Sequence, residues 1–154
     1  MFLPTSQAKK LKLQKKRTKW KRQFRRIGSS SLFHETVRKI FVEDTFFKNL
    51  SCYQEVPVVD LVDGYSNGRH HVDWYIDELN TVLELHGEQH YAMVNYGNLP
   101  FGDAARSFKQ IQQRDQQKKQ ALIIAGYEYR EISFKEKKRI NAELLKQIIF
   151  YDEL

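Results

Sequence analysis

Cysteine is almost absent: Cys52 stands alone among 154 residues. That excludes an internal disulfide and any multi-cysteine zinc site, and it suits a reducing compartment. Three prolines and seven glycines are too few for a collagen-like or low-complexity chain. No apolar run reaches the ~18 residues that a membrane-spanning helix needs. The basic N-terminal stretch has no apolar core behind it, so it does not read as a secretory signal. Acidic residues are missing altogether before residue 29. What is present is a 41% apolar, 13% aromatic composition. It is too apolar for a disordered chain and long enough for one domain with a modest core.

The charge is divided unevenly. Residues 1–28 hold eleven Lys/Arg and no Asp/Glu, leaving fifteen Lys/Arg against nineteen Asp/Glu, a net of −4, over residues 29–154. A mildly acidic body therefore carries a basic arm, Lys9 to Arg26, within a chain of pI about 9.4. Such an arm is expected to bind nucleic acid by displacing condensed counterions, with steep salt dependence. The expected contacts are Lys15, Lys16, Arg17, Lys19, Lys21, Arg22, Arg25 and Arg26. Trp20 and Phe24 lie four apart and either share a helix face or stack on bases. The alternative is a solvated tail or targeting segment. The organisation read from composition is an extended or helical arm over residues 1–30 and a folded domain over 31–154, with the break at Gly28–Ser31.

Apolar spacing predicts a helix from Leu32 to Phe47, with Glu35 in its first turn, where a carboxylate suits the macrodipole. Strands are predicted over Tyr53–Val62, His70–Ile76 and Thr81–His86, with turns at Ser66–Gly68 and Asp77–Asn80, forming an antiparallel meander. A loop over residues 92–102 leads to a long polar helix, Asp103–Ala125, stopped by Gly126. A strand over Tyr127–Ser133 and a helix over Lys135–Tyr151 close the chain. The fold class is α/β or α+β: a small mixed sheet containing the meander, flanked by helices.

Chemistry concentrates between His70 and His90. Alternation puts Asp73 on one face with His71 and Tyr75, and Glu84 on one face with Val82 and His86. The intervening turn can bring Asp73 and Glu84 together on adjacent strands. Glu84 lies in an apolar strand, where a carboxylate is costly unless paired or metal-bound. Two converging carboxylates would hold a hard cation such as Mg²⁺, which keeps waters, accepts phosphate oxygens and acidifies an attacking water. His86 or His90 would handle protons. As a zinc pair they would need a helix, and this stretch leaves a strand through Gly87. Asp115 and Lys118, three apart on the long helix, would add a carboxylate and a cation.

The segments Val72-Asp73-Trp74-Tyr75-Ile76, Val82-Leu83-Glu84-Leu85-His86-Gly87-Glu88-Gln89-His90, Arg114-Asp115-Gln116-Gln117-Lys118 and Ala125-Gly126-Tyr127-Glu128-Tyr129 resemble a known group in order and spacing. They are similar to the very-short-patch-repair (Vsr-like) endonucleases and to the wider PD-(D/E)XK restriction-endonuclease-like superfamily. That superfamily includes phage-borne homing endonucleases with an E-D-x-H-D motif. The resemblance covers about residues 32–134. It implies Glu35 as an outer active-site carboxylate, Asp73 as the central metal ligand, His90 as general acid/base and Asp115 as its helix-borne partner. Glu84 and His86 fall where the superfamily's D/E-x-K pair stands, so a histidine occupies the lysine position. Either His86 replaces that lysine, or His90 with Asp115 transfers the proton. The family's zinc-binding cysteines are absent.

The expectation is a DNA endonuclease using Mg²⁺, with Mn²⁺ as a substitute, that nicks or cuts phosphodiesters. The setting would be the cytoplasm of a prokaryotic or phage-infected cell, as a monomer or homodimer. Catalytic groups would be Glu35, Asp73, Glu84, His86, His90 and Asp115, with metal on Asp73 and Glu84. Lys118 would join the nucleic-acid contacts, and Trp74, Tyr75, Tyr91 and Tyr96 would be available for base stacking. The alternatives are a junction-specific recombination nuclease and a non-catalytic nucleic-acid-binding protein.

Overall fold

A computed structural model describes residues 16–28, 31–88 and 101–151. Lys15, His90, Tyr91, Tyr96 and most of the loop over residues 92–102 lie outside these. The described residues form one five-stranded sheet in chain order: β1 (Lys21–Arg22), β2 (Cys52–Pro57), β3 (His71–Ile76), β4 (Thr81–His86) and β5 (Glu128–Ser133). The first three pairings are antiparallel and β4–β5 is parallel. The helices are α1 (Leu32–Glu43), α2 (Val58–Leu61), α3 (Phe101–Ile124) and α4 (Ala142–Phe150). The mixed sheet with its meander is as the alternation predicts. The parallel partner follows because α3 carries the chain back across the sheet before β5.

Local chemistry sets the boundaries. Ser31 caps α1 by accepting the His34 N–H. The helix stops at Glu43, short of the predicted Phe47, because the Asp44 carboxylate accepts the N–H groups of Phe46 and Phe47. The predicted strand over Tyr53–Val62 ends at Pro57, whose φ of −61° leads into α2. Gly126, at φ +96°, ends α3 as predicted, and its N–H donates to Ile123 O. The closing helix is shorter than predicted. Residues Phe134–Glu136 take a 3₁₀ turn, and Asn141 starts α4 by accepting the Leu144 N–H.

The sheet separates two cores. One joins Trp74, Ile76, Leu83 and Leu85 to Val37 and Phe41 of α1 and to Leu144, Leu145, Ile148 and Ile149 of α4. The other joins Tyr53, Val56, Val72, Tyr75, Val82 and Tyr129 to Leu122 of α3 and Leu61 of α2. Strict alternation fails in one place. Tyr53 and Val56 share a core although three apart, and Val72 lies opposite in kind to Trp74. The two changes of face meet at Glu55 and Asp73, which sit between the paired rungs Gln54–Trp74 and Val56–Val72. Glu55 adopts φ +48°, a left-handed conformation that costs about 1 kcal/mol in a non-glycine residue.

The basic arm is the main departure from the sequence reading. Residues 16–28 belong to the folded body. Trp20 is only 7% exposed, donates its indole N–H to Asp60 at 2.9 Å, and meets Tyr53 and Tyr75 edge-on. It is a core residue and is not presented for stacking on bases. Trp74 and Tyr75 are likewise buried. Arg17 pairs with Asp77 at 2.8 Å, Lys16 with Asp60 at 3.8 Å and Lys21 with Glu55 at 3.7 Å. Arg22 lies in β1 over the Tyr53 ring. Lys19, Arg25 and Arg26 are exposed. A basic stretch and a body with surplus acid attract each other, so some of the arm's charge serves the fold. Trp20→Phe, which loses the Asp60 bond and some volume, should lower stability by about 1–2 kcal/mol. Urea unfolding measures this, and an unchanged midpoint would place Trp20 outside the folded core.

Candidate active site

The site is built where the β3–β4 ladder stops. The paired rungs run from Ile76–Thr81 to Trp74–Leu83, so the next pair would be Asp73 and Glu84. Carboxylates replace that rung. Leu85 N–H donates to Asp73 Oδ2 at 2.7 Å, and Asp73 N–H lies 3.4 Å from Glu84 Oε2. The strands are held together by side chains and open towards one end.

Lys118 reaches this opening from α3. Its Nζ donates to Glu84 Oε1 at 2.8 Å and to His71 O at 2.9 Å. Lys118 is 6% and Glu84 2% exposed. Lys118 is therefore a buried site residue, supplying the cation that its place on the long helix suggests. Two carboxyl groups face one ammonium. Burial, more than any other cause, pushes the Glu84 carboxyl above the usual range, and the charge of Asp73 adds to it, with Lys118 opposing. Asp73 is also pushed up by burial, against the hydrogen bonds from Leu85 and with Glu84. Fully ionised, the cluster would carry one more negative charge than its ammonium balances, and the raised carboxyl values hold a proton against that surplus.

Above the pair lies a cavity of about 630 Å³ that Asp73, Glu84, Lys118, His34, His70 and His71 help to line. Arg69, Arg114 and Lys137 also line it. Asp73 and Glu84 thus share one cavity with these three cationic side chains, with Glu88 also in its lining.

The sequence-derived residues divide into groups. Asp73, Glu84 and Lys118 meet. Glu35 lines a small adjoining pocket with Asp73, His34 and Glu55. Its Oε2 accepts from Arg38 at 3.0 Å, and its buried Oε1 has no hydrogen-bond partner among the described residues. His34 Nδ1 stands 3.9 Å from Asp73 Oδ1. His86 and Asp115 do not line the cavity. His86 is buried with Nδ1 3.7 Å from Glu131 on β5. Asp115 lies 3.6 Å from the Arg114 guanidinium, and its charge is felt by Tyr129. The helical spacing of Asp115 and Lys118 thus delivers the lysine to the cavity, while the carboxylate lies beside Arg114 and outside the lining.

The sequence pattern gives His70 only as the first residue of a strand and singles out none of Arg69, Arg114 and Lys137 for the site. For three of them the signal was position: His70 and Arg69 immediately precede the strand carrying Asp73, and Arg114 is one turn from Lys118. Among the described residues, no three His, Cys, Asp or Glu residues form a ready metal cluster, and no helix is long and apolar enough to cross a membrane. In comparisons with known proteins, no family model, no curated protein and no solved structure matches the chain.

Proposed function

We propose that the chain is a Mg²⁺-dependent DNA endonuclease of the Vsr-like, homing or phage type. The observation that carries this reading is the Asp73–Glu84 pair, with Lys118 as its single ammonium, beneath a cavity walled by Arg69, Arg114 and Lys137. The donor set suits the cation. Asp73 and Glu84 offer hard oxygens, and a cation that displaced the proton they hold would meet two carboxylates. Mg²⁺ needs only one or two protein carboxylates, because water and substrate phosphate complete its octahedron. Mn²⁺ accepts the same ligands. Once bound, the cation would supply Lewis acidity and a more acidic water.

The chain's own residues do the rest. Lys118 neutralises part of the Glu84 charge and fixes its carboxylate. Arg69, Arg114 and Lys137 draw the nucleic-acid backbone towards the cavity and orient it through phosphate contacts. Glu35 adds an outer carboxylate beside Asp73. His90, outside the described residues, is the proposed proton-transfer group; His86 and Asp115, which do not line the cavity, are not assigned that role. DNA is the proposed partner. Exposed Lys19, Arg25 and Arg26 add sequence-independent affinity.

Supercoiled plasmid incubated with the protein should be nicked or linearised in Mg²⁺, left intact in EDTA, and left intact by Asp73→Ala in Mg²⁺. Tight, salt-sensitive binding with no cleavage of plasmid or of a four-way junction in Mg²⁺ or Mn²⁺ would replace this reading with a binding role.

A further inference from the structure

The loop between α2 and β3 holds an unusual pair. Tyr65 Oη lies 2.6 Å from His70 Nδ1, with the rings 5.6 Å apart. The loop around them is pinned. Arg69 N–H donates to Asn67 Oδ1, His70 N–H to Asn67 O, and Val58 N–H to His70 O. Gln117 of α3 donates to Ser66 Oγ. Both rings are half-buried, and His70 lines the cavity together with Asp73, Glu84 and Lys118. A histidine in a cavity wall whose Nδ1 is already occupied has one nitrogen left for a ligand.

The geometry points to His70 as a phosphate-contacting residue, held by Tyr65 in the tautomer that presents Nε2–H to an oxygen of a phosphodiester in the cavity. A phenol is a far stronger acid than the N–H of a neutral imidazole, so the short contact is an O–H donated by Tyr65 to Nδ1. The groups facing the ring agree. Burial, then the charges of Lys118, Arg114 and His71, hold His70 below the usual histidine range and so keep it neutral. Burial and the Glu84 charge hold the Tyr65 phenol above its usual range and so keep its proton in place. A neutral imidazole that accepts at Nδ1 carries its proton on Nε2. The same cations that keep the ring neutral attract the anion it would meet. Tyr65 is a positioning residue, acting through His70.

This rests on the endonuclease reading for the identity of its ligand. The experiment measures binding of a short double-stranded DNA in Ca²⁺, with ¹⁵N imidazole spectra of the same protein. His70→Ala should weaken binding about tenfold, the effect of one hydrogen bond to a charged group. His70→Gln, which keeps an N–H near the position of Nε2, should stay within about threefold. Tyr65→Phe should fall between them and add nothing in the His70→Gln background. The free protein should show His70 protonated at Nε2 and bare at Nδ1, with the Nε2 signal shifting when DNA binds. Affinity unchanged in His70→Ala, or a proton on Nδ1, overturns the assignment while wild-type binding and cleavage leave the endonuclease reading standing. A wild-type protein that binds no DNA overturns both.

Discussion

Asp73→Asn should abolish cleavage and make the protein more stable. The asparagine Oδ1 still accepts the Leu85 N–H that Asp73 holds at 2.7 Å, and its amide can donate to Glu84. What disappears is a negative charge beside a second buried carboxyl, leaving Glu84 and Lys118 as a balanced pair. Relief of that repulsion should add about 1 kcal/mol, or about 2–4 °C in melting temperature for a chain of this size. The pH dependence has a fixed sign. Asp73 and Glu84 both have folded-state pKa values raised above the ordinary carboxylate range. Above that range the folded protein holds protons that the unfolded chain has released. In EDTA, wild-type stability therefore falls as pH rises through the raised values, and the fall should be shallower in Asp73→Asn. Thermal melts across pH measure both effects. A variant with wild-type stability and slope would mean that the two carboxylates ionise side by side without cost. Loss of activity with a gain in stability is the expected mark of a site whose charges are arranged for a ligand rather than for the fold.

Lys118→Met should have the larger effect on stability, in the opposite direction. Methionine can follow the same path from α3, but it leaves two carboxyl groups without their ammonium and His71 O without its donor. Breaking a buried ion pair from one side costs about 3–5 kcal/mol, a fall on the order of 10 °C in melting temperature. Cleavage should be lost as well, since Glu84 would no longer be fixed. The double variant Asp73→Asn/Lys118→Met should recover part of the loss, because the repulsion that Lys118 relieves is already absent. Urea unfolding of the four proteins in EDTA yields this coupling, expected at about 1–2 kcal/mol. A Lys118→Met cost below about 0.5 kcal/mol, the range of ordinary surface changes, would mean that the ammonium lies in water.

The sequence exposed the parts of this site that depend on local pattern. Thr81–His86 was legible as a strand because turn residues bound it on one side and Gly87 on the other. Glu84 stood out because its neighbours are apolar. Asp73 followed from the strand before the turn. The role of Lys118 was only half legible: helical spacing placed it beside Asp115, and nothing in that spacing tells which of the two enters a cavity. The Tyr65–His70 contact was not legible at all, since a loop has no period. Trp20 misled for a similar reason. A basic stretch with one large aromatic reads alike whether it meets a base or a hydrophobic core, and its true partners, Tyr53, Tyr75 and Asp60, lie far along the chain. The basic run ends at Arg26 and the first acidic residue is Glu35, whereas the folded body starts before both.

That offset matters for how the charge of the arm can be tested. β1 is two residues long and pairs with the outer side of β2 through Lys21–Gln54 and Arg22–Tyr53. Short strands rich in lysine and arginine at a sheet margin discourage other chains from adding on. Cutting the chain at Gly28 removes this guard along with Trp20, and exposes backbone donors and acceptors of β2 next to a broken core. Such a truncated protein is prone to self-association, and any loss of DNA binding in it mixes aggregation with charge. Neutralising only the exposed Lys19, Arg25 and Arg26 leaves the margin covered, so the salt dependence of those variants reports on charge alone.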